Sequence, residues 1–383
     1  MRDFAPEDED IAAEAEEILG AGQVGISEFA HGQRIGVTAG VARIRAGDRS
    51  AVVKVISPGG GPRVWRGSHD PASYRYWRRE ADVYEAGLPH GYTAAGVEQP
   101  ELLGLFERAD GRLSMWLRDV DGLSGEHWSV GRTGQHAARL GHAQGRCAVD
   151  DSWTEGGVPW SRGMLREYLD TPEATSADID WNLLHESRLW ETPLMHRHFG
   201  GPLRDEVLRL CDERYAFVEL GERLPQTLCH HDAWPRNFLD DDGEHTIGVD
   251  WAFAGHGWIG ADIGNYVSDT ALDLLRPSEE LPALDRVVFD EFCAGLEKGG
   301  WHGDRRAVRL GMCLMAAKWS WLVPVMLKRA AEDFEHTVYG SQRVEADRLY
   351  AERSQVFRML VAWAAEAREL ASKLFGSRGS LSA

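Results

Sequence analysis

The order in which strand and helix signals occur is what most constrains the fold of this chain. Before residue 120, runs of β-branched or alternating residues fall at Val24–Ala30, Gly36–Arg45, Ser50–Ile56, Glu101–Phe106 and Arg112–Val120, and read as strands. Two helical patterns are set among them, one over 9–20 stopped by Gly20 and one over 71–87 stopped by Gly87. From about residue 131 the pattern turns helical: Gln135–Ala148, Met164–Leu169, Trp181–Leu189, Leu203–Leu220, Ile263–Leu275, Leu284–Leu296, Ala307–Met326 and Ala346–Leu374. Short strands return only at Thr227–Cys229, Phe238–Leu239 and Thr246–Trp251. This order predicts an α+β architecture of two lobes: a β-rich N-terminal lobe over 1–120 ending at a hinge, and a mainly helical C-terminal lobe over 121–383. A cleft between two lobes is a common place for a small ligand.

Composition narrows the partners. The formal net charge is −19, which repels nucleic acid and anionic membrane surfaces. The 5 cysteines contain no C-x-x-C pair, so neither a disulfide framework nor a zinc cluster is expected. No uninterrupted apolar run reaches the roughly 18 residues of a membrane span. The acidic start of the chain (Glu7, Asp8, Glu9, Asp10) is wrong for a signal peptide. A cytoplasmic protein is expected.

The densest chemical signal lies in Leu228–Leu239. It contains His230, Asp232 and Asn237 in the spacing H-x-D-x-x-x-x-N. Phosphoryl transfer to a hydroxyl needs a carboxylate that orients the attacking oxygen and takes its proton, and ligands for Mg²⁺ on the phosphates. Asp232 suits the first role, and the Asn237 side-chain carbonyl is a hard oxygen donor suited to the second. Thirteen residues on, the apolar run Thr246–Val249 ends in Asp250, a second candidate ligand. Lys54 sits in the apolar strand Ala51–Val55 and is the only lysine before Lys298 in a chain that otherwise uses arginine. A compact ammonium suits a phosphate contact. Its partner carboxylate should lie on the following helix, where Glu80 fits, with Asp82 and Glu85 as rivals.

This combination resembles the aminoglycoside phosphotransferase and choline kinase family, small-molecule relatives of the protein kinases. The family pattern is His-Gly-Asp with Asn five residues on, then an Ile-Asp-Trp-like triplet. Here His230-His231-Asp232, Asn237 and Val249-Asp250-Trp251 match, with His231 in the place of glycine. The resemblance covers most of 20–275 and implies a protein-kinase-like fold. It implies that Asp232 is the catalytic base, that Asn237 and Asp250 hold Mg²⁺, and that Lys54 with Glu80 positions the phosphates of ATP or GTP. Asp262, in Gly257–Asp262, is expected to brace the loop. Arg118 and Val120 are the expected backbone contacts for the base of the nucleotide, although Arg118 replaces an acidic residue of the family's hinge. No G-x-G-x-x-G precedes Lys54; Ser27–Gly40, with Gly32, Gly36 and Gly40, stands where the phosphate-covering loop should be.

The expected function is therefore a Mg²⁺-dependent kinase of a small hydroxylated acceptor. The acidic residues between 150 and 191, including Glu173 and Asp178, favour a cationic aminoglycoside-like or amino-alcohol acceptor. Kinases of a neutral sugar, a nucleoside or another metabolite share the same machinery. A nucleotide-binding pseudoenzyme usually lacks the Lys, Asp or Asn that are all present here. A protein kinase is disfavoured by the absence of Asp-Phe-Gly and Ala-Pro-Glu segments. Metal binding by Cys229, His230 and His231 is not expected, because adjacent histidines point in different directions.

Overall fold

The computed structural model describes all residues except 1–8, 22, 30–36, 60–66, 171–178, 241–242, 333–334, 339–341 and 377–383. Gly32 and Gly36 of the expected phosphate-covering loop, and Glu173 and Asp178, lie outside the described residues.

The N-terminal half is built on β1 (Gly25–Glu28), β2 (Thr38–Ala46), β3 (Arg49–Ile56), β5 (Leu102–Glu107) and β6 (Leu113–Arg118), after helix α1 (Glu9–Leu19). They form an antiparallel sheet in the order β1-β2-β3-β6-β5. β3 is central, and alternation along it sends Ala51, Val53 and Val55 to one face, where they pack with Ile11, Ala15 and Leu19 of α1 and with Trp116. A buried carboxylate fastens that helix down: Glu14 accepts from Arg108 Nε at 3.0 Å, Ser114 Oγ at 3.0 Å and Trp116 Nε1 at 2.7 Å. The opposite face of β3 is left to carry Lys54.

Helix α2 (Arg79–Ala86) follows, and is shorter than the 71–87 pattern predicts. Residues 71–78 fold as turns because Glu167 captures them: it accepts from Ser73 Oγ, the Tyr74 amide and Arg75 Nε. Those bonds compete with the helical ladder. A short helix α3 (His90–Thr93) leads to β4 (Val97–Glu98).

A second, four-stranded sheet has the order β4-β10-β9-β7, from β7 (Leu123–Ser124), β9 (Phe238–Asp240) and β10 (Thr246–Gly248). β8 (Gln226–Cys229) pairs with β11 (Gly255–Trp258). These strands lie against the long helix α4 (Val130–Val149), which packs closely on the Leu281–Lys298 helix. The contact is tight because a Cβ at Gly141 would fall 2.2 Å from the Phe292 carbonyl oxygen. One hydrophobic core joins the helices Ala261–Leu272, Leu281–Lys298, Arg305–Leu314, Leu322–Ala331 and Ala346–Phe375.

The predicted helix over Ala307–Met326 is broken. Residues Met315–Trp321 wind as a 3-10 turn between Arg305–Leu314 and Leu322–Ala331. Pro324 accounts for the break, since its ring excludes the carbonyl four residues back, that of Ser320. The Arg305–Ala331 stretch is long and apolar enough to cross a membrane by length and composition, yet 94% of its apolar window is buried inside the protein. Likewise 181–189 is a 3-10 turn (Trp181–His185) followed by a single helical turn (Ser187–Trp190), not one helix.

Candidate active site

Three elements bring the expected residues together. Lys54 leaves β3 opposite Val41 and Met115. Its ammonium lies 2.6 Å from Glu80 Oε2 and 2.9 Å from Asp250 Oδ1. Glu80, and not Asp82 or Glu85, is thus the helix partner; those two pair with Arg78 instead. Burial alone would lower the Lys54 ammonium, but Asp250 and Glu80 together hold it above its ordinary value. Burial pushes the Glu80 carboxyl up, to about 7, against the pull of Lys54. Asp250 goes the other way: burial is outweighed by the Lys54 charge and hydrogen bond, which bring it below the usual carboxylate range.

Glu80 is held in place by its neighbour. Arg79 is fully buried and donates to the carbonyls of Pro159, Tyr74, Ala252, Pro71 and Ser73. It ties the start of α2 to the loop just after Asp250. Burial lowers its guanidinium to about 10.

The loop from His230 to Asn237 is set by a single carboxylate. Asp262 Oδ2 accepts from the His230 amide and from Gln144 Nε2, both at 2.7 Å, and Oδ1 accepts from the His231 amide at 2.8 Å. The bracing role expected for Asp262 is what this geometry displays. His231 has φ +66°, the left-handed region that favours glycine, in the position where the resembled family has glycine. Its ring gives something back: Nε2 donates to the His256 carbonyl at 3.0 Å. Burial pulls this imidazole down to about 4, so it is neutral at pH 7. Cys229, His231 and Asp262 offer ligand atoms within 4.8 Å of one another. Both Asp262 oxygens already accept N–H bonds, and burial pushes the Cys229 thiol well up, so this set does not fit a metal.

His230 fixes the turn to Asp232. Its Nδ1 accepts from the Asp232 amide at 3.3 Å, so the ring proton sits on Nε2 and goes to the Val249 carbonyl at 2.9 Å. One ring thereby links the residue before Asp250 to Asp232. Asn237 Nδ2 donates to both the backbone oxygen and Oδ2 of Asp232, each at 2.9 Å. Two oxygen partners settle which side-chain atom is nitrogen. That leaves Asn237 Oδ1 as an acceptor, and the Val249 amide, next to Asp250, donates to the Asn237 backbone carbonyl at 2.9 Å; the Asp250 side chain is 38% exposed and its φ is +61°. An amide oxygen and a carboxylate form a hard-oxygen donor set, and these two residues would fit Mg²⁺. Burial raises the Asp232 carboxyl, and the Lys318 charge opposes it.

Arg118 is the last residue of β6, and Val120 follows two residues later. The Arg118 amide donates to the Glu101 carbonyl at 2.9 Å, so that amide is already engaged. Sequence reasoning missed Arg79, which anchors the start of α2, and Lys318, whose charge acts on Asp232. The scarcity of lysine, which singled out Lys54, applied equally to Lys318.

The family model described as "Phosphotransferase enzyme family" matches residues 40–303, well over half of the chain. No curated protein matches the sequence. Among solved structures, the chain is similar to a choline kinase from Cryptosporidium parvum Iowa II, with a TM-score of 0.53, 12% identity, and coverage of 98% of this chain and 99% of that one. It is also similar to a thermostable mutant of aminoglycoside phosphotransferase APH(4)-Ia in its apo form, with a TM-score of 0.50, 15% identity, and coverage of 92% and 99%. A ternary complex of that phosphotransferase gives a TM-score of 0.50 at 16% identity, covering 94% and 99%. The fold, a β-rich N-terminal part on a helical C-terminal part, is that of the protein-kinase-like small-molecule kinases, and the chain belongs to the phosphotransferase enzyme family of aminoglycoside phosphotransferases and choline kinases.

Proposed function

We propose that this chain moves the γ-phosphoryl group of ATP or GTP to a hydroxyl of a small molecule. The observation that carries this reading is the double hydrogen bond from Asn237 Nδ2 to Asp232, beside the Lys54–Glu80–Asp250 cluster. It supports reading Asp232 as the carboxylate that meets the acceptor and Asn237 Oδ1 as an oxygen donor for a metal. The complex of the similar phosphotransferase with ADP and hygromycin B supports a nucleotide donor.

The nucleotide would lie between the lobe expected to end at Val120 and the helical lobe. Its base would meet the Arg118 carbonyl and the Val120 amide. Lys54, held upright by Glu80, contacts the phosphates. Asn237 and Asp250 hold Mg²⁺, which when bound offsets charge on the phosphate oxygens. Asp232 accepts a hydrogen bond from the acceptor hydroxyl. As the acceptor oxygen bonds to the γ-phosphorus, the bond to the bridging oxygen breaks, ADP or GDP leaves, and the hydroxyl proton passes to the Asp232 carboxylate. Most of the rate comes from positioning, because the chemistry asks little covalent work of the protein.

The test is phosphoryl mass gain over a panel of aminoglycosides, amino alcohols, sugars and nucleosides with each nucleotide, beside Asp232→Ala. Loss of a general base costs roughly 10²–10⁴-fold, so product formation should fall by at least about 10²-fold while Mg²⁺-nucleotide binding persists. A product that forms equally in Asp232→Ala overturns the assignment of the base.

A further inference from the structure

Lys318 is a buried cation that the transfer chemistry does not account for. It lies in the 3-10 turn Met315–Trp321. It is 6% exposed. Its Nζ donates to Asn265 Oδ1 at 2.6 Å, and Asn265 Nδ2 donates to the Ala233 carbonyl at 2.8 Å. Two hydrogen bonds therefore connect this ammonium to the residue next to Asp232. The rings of Tyr168 and Trp319 flank it, with centroids at 5.6 Å and 5.2 Å, an arrangement that favours a cation.

Its charge acts on Asp232 and on Asp269, which is buried at 8% exposure. Among the described residues, however, Lys318 makes no ion pair within 4 Å, and the Asn265 bond is its single side-chain hydrogen bond. An ammonium carries three N–H donors, and a buried donor without a partner is costly. A buried ammonium with unfilled donors, two flanking aromatic rings and a two-bond link to the residue beside Asp232 thus occur together. An acceptor held by Asp232 would come within reach of the Lys318 charge, which already acts on that carboxylate.

We propose that Lys318 is a specificity residue that donates to an oxygen substituent next to the reacting hydroxyl, so that the acceptor is an oxygen-rich alcohol and not one bearing an ammonium at that place. This rests on the phosphotransferase reading of the cleft. An oxygen there completes the Lys318 donors. An ammonium there sets two cations side by side where water is scarce, and like charges across a desolvated contact discriminate strongly. The preference is the reverse of the one the acidic surface suggests: long-range charge governs arrival, while the contacts at the reacting atoms govern choice.

The experiment uses matched acceptors that differ in one substituent beside the hydroxyl: ethylene glycol against ethanolamine, and glucose against glucosamine. Saturation-transfer NMR reads their binding to the Mg²⁺-nucleotide complex, and phosphoryl mass gain reads turnover. Wild type should favour the oxygen member of each pair by about 10²-fold in kcat/KM. Lys318→Met should collapse that ratio toward unity, and Lys318→Arg should keep most of it. A purely structural brace would lower both members of a pair equally in Lys318→Met, leaving the ratio unchanged, and that result overturns the proposal while the kinase stands. A wild-type preference for the ammonium member overturns it as well. Absence of both transfer and Mg²⁺-dependent nucleotide binding overturns the kinase reading and this inference together.

Discussion

Two aspartates in this cleft have the same side chain and opposite circumstances. Asp262 is 1% exposed, and its two oxygens accept three N–H bonds, two of them from the backbone of the loop that carries Asp232. The side chain of Asp250 is 38% exposed and gives one oxygen to Lys54, a flexible side chain on the other half of the molecule. The first carboxylate is saturated by groups that cannot leave, so it shapes the loop. The second has one oxygen on a single side chain and is partly exposed, so it remains open to a ligand. The number and kind of donors, and not the residue type, separates a brace from a ligand.

The same isosteric change at both positions tests this contrast. Asp250→Asn keeps the oxygen facing Lys54 and weakens the hard donor set. Phosphoryl transfer should fall by about 10³-fold, while urea unfolding should move by less than about 1 kcal/mol. If activity survives, Asp250 is not a metal ligand. Asp262→Asn turns an NH2 toward one backbone amide and leaves that buried donor unpaired. It should cost about 2–3 kcal/mol in the same unfolding measurement, and activity should follow the folded fraction. An unchanged stability would show that the Asp262 bonds do not set the loop. The smallest effect concerns His231. His231→Ala keeps the left-handed backbone and loses the bond to His256, whereas His231→Gly also removes the strain. The glycine variant should exceed the alanine variant by about 1 kcal/mol, and equal stabilities would argue that φ +66° carries no strain.

Much of the site was legible in the chain. Lys54, Asp232, Asn237 and Asp250 were picked out by residue type and spacing, and the structure gathers Lys54, Glu80 and Asp250 within 3 Å contacts. The strands of the first sheet were read to within a few residues, because alternation is a local signal. The 71–87 helix was overextended because Glu167, 92–94 positions away, ties up its first turns. The long helix near 307–326 hid its break because Pro324 acts backward on the turn before it.

By itself the sequence determined the succession of strands and helices and the spacing of the chemical groups, since both depend on neighbours a few residues apart. It also marked His231 as the departure from glycine, but not that the backbone there would stay left-handed. Only the tertiary structure decided which acids are saturated and which are open. Asp262 meets Gln144 across 118 positions, Lys318 meets Asn265 across 53, and Arg79 meets Ala252 across 173. Such pairings have no period to read, because they follow from how helices and sheets pack and from the need of each buried donor and acceptor for a partner.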